Sequence, residues 1–287
     1  MIVKILLPLI LAFIMFSLGL GLRRDDFARV ARFPKAFGAG LLNQMILLPL
    51  VALGLAHAFS LSPEFAVGLM ILALCPGGVT SNVLSRLAGG NTPLSISLTA
   101  IVSLLAIVSV PFLVAWSVGH FMGETGPRVD VTKLGITMFL ITAVPVAIGM
   151  ILTAKCPAMV EKIAPTISRV ALVLFVFVII AALAKNWDVF SSNLGTLGPV
   201  AIILNVVMLC IGIATARVIR LNRSDASTIS IETGVQNGTL AIAVGSIVAG
   251  VDGEVLPPVT VPAVVYSITM YFVCVPFVLW RQKGPRE

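Results

Sequence analysis

The chain has 287 residues, of which 59% are hydrophobic and only 11% are charged, and its mean hydropathy is +1.10. Soluble domains carry about 25% charged residues, so this composition predicts a protein built for a lipid bilayer. The net charge of +7 could suggest a nucleic-acid partner. The basic residues, however, lie in short connections between hydrophobic stretches, which is typical of membrane topology and argues against nucleic-acid binding.

Nine apolar segments divide the sequence, each about 20 residues or longer, as a bilayer-spanning helix requires. They lie near residues 2–22, 36–57, 64–88, 93–117, 132–153, 166–185, 195–217, 225–249 and 259–280. The first segment has no small-residue cleavage pattern, so we interpret it as a spanning helix and not as a signal peptide. The pattern predicts an all-α polytopic membrane protein with nine transmembrane helices in a single domain over residues 1–287.

The basic residues predict the orientation of these helices. Fifteen of the 19 Lys and Arg residues fall in alternate connections on one side, and this set includes Lys155, Lys162 and Arg169. The other side holds Lys4, Arg128, Lys133 and Lys185. Cytoplasmic loops carry the excess of basic residues, so we expect the N-terminus outside and the C-terminus in the cytoplasm. The expected location is the plasma membrane, which is the inner membrane in a bacterium.

The third and eighth segments are interrupted at their centres. The third contains Cys75-Pro76-Gly77-Gly78-Val79-Thr80-Ser81-Asn82, and the eighth contains Ile231-Glu232-Thr233-Gly234-Val235-Gln236-Asn237-Gly238. Proline removes a helical hydrogen bond, and glycine releases the backbone from helical geometry. Backbone groups freed in lipid must face a cavity, an ion or another part of the protein. The alternative is a pair of ordinary kinked helices.

The two interrupted segments occupy matching positions in two halves of the chain, about 1–117 and 132–280. Each precedes one final helix of its half, and the two cross the membrane in opposite directions. This arrangement predicts an inverted repeat whose first half lacks its opening helix. Interrupted segments at corresponding positions of two halves indicate a transporter binding site near the bilayer midplane.

Glu232 is the only acidic side chain well inside an apolar stretch long enough to cross a membrane. A carboxylate at bilayer depth costs at least about 2.5 kcal/mol, so it needs a compensating cation or a proton. We interpret it as a cation-coupling site, with a protonated structural Glu as the alternative. The oxygens of Ser95 and Thr99, spaced i, i+4 on one helix face, suit a hard cation, although such hydroxyls also bond to helix carbonyls.

Each interrupted helix restarts near the midplane, around residues 79–82 and 235–238. The start of a half-helix presents unpaired amides and a partial positive charge, which favours anions. We therefore predict that a substrate carboxylate or sulfonate is held by amides near Thr80 and Asn237, assisted by the Asn237 side chain. The candidate substrate-binding residues are Val79, Thr80, Asn237 and Gly238.

With these motifs in place, the chain resembles the bile acid:sodium symporter family. The resemblance is carried by residues 75–83, by Gly90-Asn91-Thr92-Pro93-Leu94-Ser95-Ile96-Ser97-Leu98-Thr99, by residues 231–237, and by the opening residues 15–22. It runs over the whole chain and is similar to the nine-helix form of the family. It implies a panel domain, a core domain with two crossing unwound helices, and uptake of an organic anion coupled to sodium.

The resemblance also implies two sodium sites. The first would use Ser81, Asn82, Ser95, Thr99 and Glu232. The second would use Gln44, Glu232 and Gln236 with the backbone carbonyls of Thr233 and Val235, although Gln44 could instead bond a neighbouring helix. Family substrates include bile acids, pantoate-like acids and keto acids. The last helix, with Tyr266-Ser267-Ile268-Thr269-Met270-Tyr271, is less polar than a substrate with several hydrogen-bonding groups would require.

Three alternatives stay open at this point. In a proton-coupled organic-acid transporter, Glu232 itself would titrate. In a metalloid efflux carrier of a related superfamily, Cys75 would be a thiolate ligand. In a membrane receptor, a ligand would bind without being moved. The sequence has no Ser/His/Asp set, phosphate loop or metal cluster, so we do not expect an enzyme. The expected partners are sodium, a small organic anion and membrane lipid, with no obligate protein partner.

Overall fold

The computed structural model describes residues 2–28, 33–185, 187–250 and 257–283, and every element of secondary structure in these ranges is a helix. The prediction of an all-α protein is thus confirmed for the described chain. The side chains of Lys4, Val79 and Lys185, and the whole of Arg29, Arg32 and Arg286, lie outside that description.

Fourteen α-helices follow one another along the described ranges. They are α1 (Ile2–Leu20), α2 (Arg24–Ala28), α3 (Pro34–Leu42), α4 (Leu48–Ala58), α5 (Pro63–Leu74), α6 (Val79–Leu87), α7 (Thr92–Met122), α8 (Val131–Met138), α9 (Val144–Lys155), α10 (Pro157–Lys185), α11 (Trp187–Val218), α12 (Arg223–Gly234), α13 (Gly238–Val248) and α14 (Val261–Gln282). A π-helical segment, Asn43–Leu47, joins α3 to α4, and another, Phe139–Ala143, joins α8 to α9. Short 3₁₀ turns occupy Gly123–Thr125 and Pro258–Thr260.

Six helical stretches of the described chain are long and apolar enough to cross a bilayer. They are Pro34–Ala58, Thr92–Thr125, Val131–Lys155, Pro157–Ala181, Trp187–Val218 and Pro258–Gln282. The other three predicted segments correspond to α1, whose apolar part is Leu6–Leu20, and to the interrupted pairs α5–α6 and α12–α13. The count of nine crossings therefore stays a prediction.

Several helices begin where the sequence places a capping side chain. Asn91 accepts a hydrogen bond of 3.2 Å from the amide of Leu94, and Asp130 accepts one of 2.9 Å from the amide of Lys133. Such caps satisfy amides that have no partner within the helix. Two starts differ from the prediction, because α10 begins at Pro157 and α11 at Trp187. Polar residues follow soon after each start, Glu161 and Lys162 in α10 and residues 191–193 in α11, so a hydropathy window places the apolar segment later in the chain.

The helices form two groups that meet at the interrupted segments. In the first group α1 packs against α9 and α10, and in the second α11 packs against α12 and α14. Gly19 lies so close to the backbone of Val146 that a β-carbon would not fit. Gly212 makes a similar approach to the backbone of Ser230. Small residues let membrane helices approach closely, so these glycines fix the packing within each group.

The two interruptions lie side by side. The helix breaks after α5 at residues 75–78 and after α12 at residues 235–237. The half-helix α5 contacts α13, and α6 contacts α12, as expected for two interrupted helices that cross at their breaks. The amide of Asn237 donates a hydrogen bond of 2.9 Å to the carbonyl of Pro76. Each break therefore satisfies part of the other's free backbone.

Candidate functional site

The Glu232 carboxylate lies near the end of α12, buried against the start of α7. Its Oε1 accepts a hydrogen bond from the Ser95 hydroxyl, and its Oε2 accepts one of 2.7 Å from Thr99. The side chain is 5% exposed. The i, i+4 spacing of Ser95 and Thr99 thus places both hydroxyls against one carboxylate, with Ser95 on one oxygen and Thr99 on the other.

Asn82, in α6, brings a further oxygen to the same place. Its Oδ1 lies 2.8 Å from the Ser95 hydroxyl and 3.5 Å from the Thr99 hydroxyl. When Glu232 is ionised, the hydroxyls of Ser95 and Thr99 supply two protons for four close oxygen–oxygen contacts among these side chains. Two of these contacts therefore lack a proton of their own. A cluster with more acceptor oxygens than protons is a suitable environment for a hard cation, which prefers carboxylate, amide and hydroxyl oxygens.

The open face of Gly77 adjoins this cluster. A β-carbon built on Gly77 would lie 3.1 Å from Glu232 Oε2, 3.4 Å from Ser81 Oγ and 3.4 Å from the carbonyl oxygen of Val235. Oxygens from both interrupted helices therefore converge on the space that glycine leaves open. The structure brings together all five residues of the first sodium set, Ser81, Asn82, Ser95, Thr99 and Glu232.

Gln44 and Gln236 form a second buried polar pair. The Gln44 amide donates a hydrogen bond of 2.7 Å to Gln236 Oε1 and lies 3.2 Å from the carbonyl oxygen of Cys75. The Gln236 amide donates to the carbonyl of Thr233 at 2.8 Å. Gln44 lies on the π-helical segment between α3 and α4. The residues of the second sodium set therefore meet beside the two breaks, although no hydrogen bond joins Glu232 to this pair in the described chain.

The sequence analysis did not identify the residues that hold the free carbonyl of Gly234. Asn205, in α11, donates a hydrogen bond of 2.6 Å to this oxygen, and the Tyr266 hydroxyl donates one of 2.7 Å. Both side chains are fully buried. A lone amide within the apolar run 201–209 is the signal that could have pointed to Asn205, because an uncompensated amide is costly in lipid.

The two half-helices restart next to a cavity of about 220 Å³, lined by residues of α1, α6, α10 and α13 and of both breaks. Thr80 and Asn237, two of the predicted substrate residues, both line it. No side chain caps the start of α6 at Gly78. At α13, Asn237 Oδ1 accepts from the amide of Leu240 at 3.1 Å and from the Thr239 hydroxyl at 2.8 Å, and the Asn237 Nδ2 group has no hydrogen-bond partner among the described residues.

The other two predicted substrate residues are placed differently. Gly238 packs against the Ser267 side chain of α14, and it is not part of the cavity wall. The Val79 side chain lies outside the described part of the chain, although its backbone begins α6. The cavity wall also includes Arg169 of α10, which the sequence analysis used only as a topology signal.

Cys75 is 1% exposed and belongs to the apolar core of the molecule. Its side chain does not line the cavity, and only its carbonyl oxygen approaches the polar site, through Gln44. A buried thiol in apolar surroundings behaves as a small hydrophobe. Cys75 therefore contributes to packing and supplies a backbone acceptor.

The fold and the site are those of a polytopic helical membrane protein with interrupted helices, a buried cluster of side-chain oxygens and an adjoining cavity, features typical of secondary transporters. Residues 8–193 match the model of the sodium bile acid symporter family. The chain belongs to this family, and the resemblance drawn from its motifs is confirmed.

The relatives are described as sodium-dependent transporters. The chain is 30% identical over 262 residues to "Uncharacterized sodium-dependent transporter YocS" of Bacillus subtilis, covering 91% of this chain and 78% of that protein. It is 28% identical to "Probable sodium/metabolite cotransporter BASS2, chloroplastic" of rice, and the match covers 96% of this chain and 63% of the rice protein. The human "Ileal sodium/bile acid cotransporter" is 28% identical over 82% of this chain and 67% of its own length. These relatives confirm the expectation that the chain is not an enzyme.

Proposed function

We propose that this protein is a secondary active transporter that couples the uptake of a small organic anion to sodium. The observation that carries the proposal is the convergence of oxygens around Glu232 beside the restart of two half-helices. A buried carboxylate needs a compensating charge, and a hard cation is the partner that suits carboxylate, amide and hydroxyl oxygens. Sodium is the cation used by the relatives.

Two sodium sites are proposed, and both use Glu232. The first is formed by Ser81, Asn82, Ser95, Thr99 and Glu232, and its support is the oxygen-rich cluster described above. The second is formed by Gln44, Glu232 and Gln236 with the carbonyls of Thr233 and Val235. Its support is the Gln44–Gln236 pair, which already gathers amide and backbone oxygens next to the break.

The substrate anion is proposed to bind in the cavity at the restart of α6 and α13. The amides of a helix start attract anions. The first turn of α6 has no side-chain cap, and the free Nδ2 group of Asn237 lies at the cavity wall. The candidates are a bile-acid-like, pantoate-like or keto acid, held near Thr80 and Asn237, with the backbone of Val79 beside them at the start of α6.

The coupling between sodium and anion follows from the neighbouring positions of the two sets. Thr80 precedes Ser81 and Asn82 at the start of α6, just after the first break. Gln236 precedes Asn237 within the second break. Sodium would fix the carbonyls and side chains of each break, and the amides offered to the anion are in the same few residues. A free-energy coupling of this kind is reciprocal, so the anion should also raise the affinity for sodium.

For transport, we propose that the group of α1, α9 and α10 acts as a panel and moves against a core that contains the interrupted helices. The cavity lies between the two groups, since its wall combines Ile14 of α1 and Phe175 of α10 with Thr80 of α6. The proposed topology has nine crossings, half-repeats at about 1–117 and 132–280, an outer N-terminus and a cytoplasmic C-terminus in the plasma membrane.

The alternative function, metalloid efflux, requires the Cys75 thiol to lie on the transport path. The burial of Cys75 in the apolar core favours the symporter over this rival. The alternative of proton coupling through Glu232 is distinguished from sodium coupling by the uptake experiment below. Both Glu232 oxygens accept from hydroxyls, an arrangement that suits an ionised carboxylate.

The experiment is uptake of labelled organic acids into proteoliposomes at fixed pH, under an inward sodium gradient or an equal potassium gradient. We expect accumulation with sodium and none with potassium. Accumulation that follows a pH gradient without sodium would establish the proton-coupled alternative. Binding without accumulation under either gradient would indicate a receptor.

A further inference from the structure

Arg169 lies on α10 in the wall of the cavity that residues at the restarts of α6 and α13 also line. The preceding residue, Ser168, places its hydroxyl 3.2 Å from that of Ser17 in α1. This contact ties α10 to α1 at the level of the cavity. The Arg169 guanidinium is exposed to the cavity region and makes no hydrogen bond or ion pair with any residue that the structure describes.

The wall around Arg169 contains no acidic side chain among the described residues. Its other members are mainly apolar and include Val83, Leu172 and Phe175. An exposed guanidinium in the wall of a cavity can donate hydrogen bonds to a bound anion. Since the protein supplies no partner here, an anionic ligand in the cavity is the natural one.

The charges around the cavity indicate how many anionic groups that ligand carries. Two sodium ions against the single carboxylate of Glu232 leave one surplus positive charge in the core. Arg169 adds a second positive charge in the cavity wall. A substrate with two anionic groups can contact both positive regions, whereas a substrate with one can contact only one of them.

We propose that Arg169 is a specificity-determining residue and that the substrate is a compact organic dianion. One anionic group binds at the uncapped start of α6, assisted by the Nδ2 group of Asn237. The other accepts from the guanidinium of Arg169, whose planar fork matches a carboxylate or phosphate group. The apolar part of the ligand contacts Leu172 and Phe175. This inference rests on the proposed sodium-coupled transport, and among the candidate substrates it favours keto acids with two acidic groups over bile-acid-like and pantoate-like monoanions.

The test measures thermal stabilisation of the purified full-length protein by dicarboxylates of increasing length, such as succinate and glutarate, and by matched monocarboxylates, butyrate and valerate. The titrations are made in saturating sodium and repeated in potassium. A ligand that binds only the folded protein raises its stability. In the wild type we expect a dicarboxylate to act at about ten- to hundredfold lower concentration than its monocarboxylate partner, the effect of one charge-assisted contact.

The Arg169→Gln variant should lose this preference and retain the monocarboxylate response, and Arg169→Lys should recover part of it. Lys162→Gln removes an exposed basic residue from the same helix away from the cavity, and it should behave as wild type. A preference that survives Arg169→Gln would overturn the role of Arg169. Equal or weaker binding of every dicarboxylate would overturn the dianion. Failure of the proposed sodium coupling can be distinguished from failure of the dianion proposal. Without sodium coupling, the stabilisation by any anion would be the same in potassium as in sodium.

Discussion

The hydrogen bond of 2.9 Å from the amide of Asn237 to the carbonyl oxygen of Pro76 joins the two interrupted helices at their breaks. The break that follows Pro76 leads into Ser81 and Asn82, and the break that contains Asn237 follows Glu232. A proposed cation ligand on each side is therefore separated from this bond by only a few residues. These short segments connect the oxygen cluster to the cavity, which gives the proposed coupling a structural path.

Gly77→Ala should weaken sodium binding without unfolding the protein. The added methyl group would lie 3.1 Å from Glu232 Oε2 and would fill the space between the converging oxygens. We expect the sodium concentration for half-maximal thermal stabilisation to rise at least tenfold, which corresponds to about 1.4 kcal/mol. Gly54→Ala is the matched control, because nothing lies within 4 Å of its β-carbon position. An unchanged sodium titration for Gly77→Ala would mean that the ion binds elsewhere.

Gln44→Leu should remove the second sodium site and spare the first. The substitution keeps the size of the side chain but deletes the amide that contacts Gln236 and the carbonyl of Cys75. We expect the sodium dependence of uptake to change from a cooperative curve to a hyperbolic one. Gln282→Leu removes a remote amide, bonded to the Leu87 carbonyl, and serves as the control. If cooperativity persists in Gln44→Leu, the second site does not include Gln44.

Asn237→Ser should weaken anion binding while the helix start is preserved. Serine is also a good capping residue, so the hydrogen bond to the Leu240 amide can be retained, but the Nδ2 group is lost. Loss of one hydrogen bond to a charged group costs about 1.5–3 kcal/mol, or roughly a ten- to hundredfold loss of affinity. The measurement is anion binding in saturating sodium. Asn222→Ser, at the cap of α12, is the control. Equal affinity in wild type and Asn237→Ser would exclude the contact.

Reporters fused to the two termini test the proposed topology. An odd number of crossings places the ends on opposite sides, and the excess of basic residues places the C-terminus in the cytoplasm. We expect an alkaline phosphatase fusion to be active at the outer N-terminus and a fluorescent protein to report a cytoplasmic C-terminus. Both ends on one side would mean that a helix was miscounted, and the inverted-repeat proposal would be wrong with it.

The sequence predicted the parts of the site that local chemistry determines. Proline and glycine in residues 76–78 are incompatible with a continuous helix, and the helix does end after Leu74. The i, i+4 spacing of Ser95 and Thr99 requires a shared face, and both hydroxyls contact Glu232. These features depend on neighbours along the chain, so they can be read from it.

Other parts depend on tertiary packing and could not be read in this way. The contact between Asn205 and the Gly234 carbonyl joins different helices. The placement of Arg169 at the cavity depends on how α10 lies against α1, and a count of basic residues does not contain this information. The packing of Gly238 against Ser267 likewise depends on the contact between α13 and α14.

The most direct measurement of the central claim is the sodium-dependent thermal stabilisation of wild type and Glu232→Gln at constant pH and ionic strength, with choline replacing sodium. Glutamine keeps the shape of the side chain and deletes the charge that would neutralise the ion. The account predicts that sodium stabilises the wild type and the Glu64→Gln control, whose carboxylate is exposed at the start of α5, and that Glu232→Gln remains folded but does not respond. An undiminished sodium response in Glu232→Gln would contradict the account.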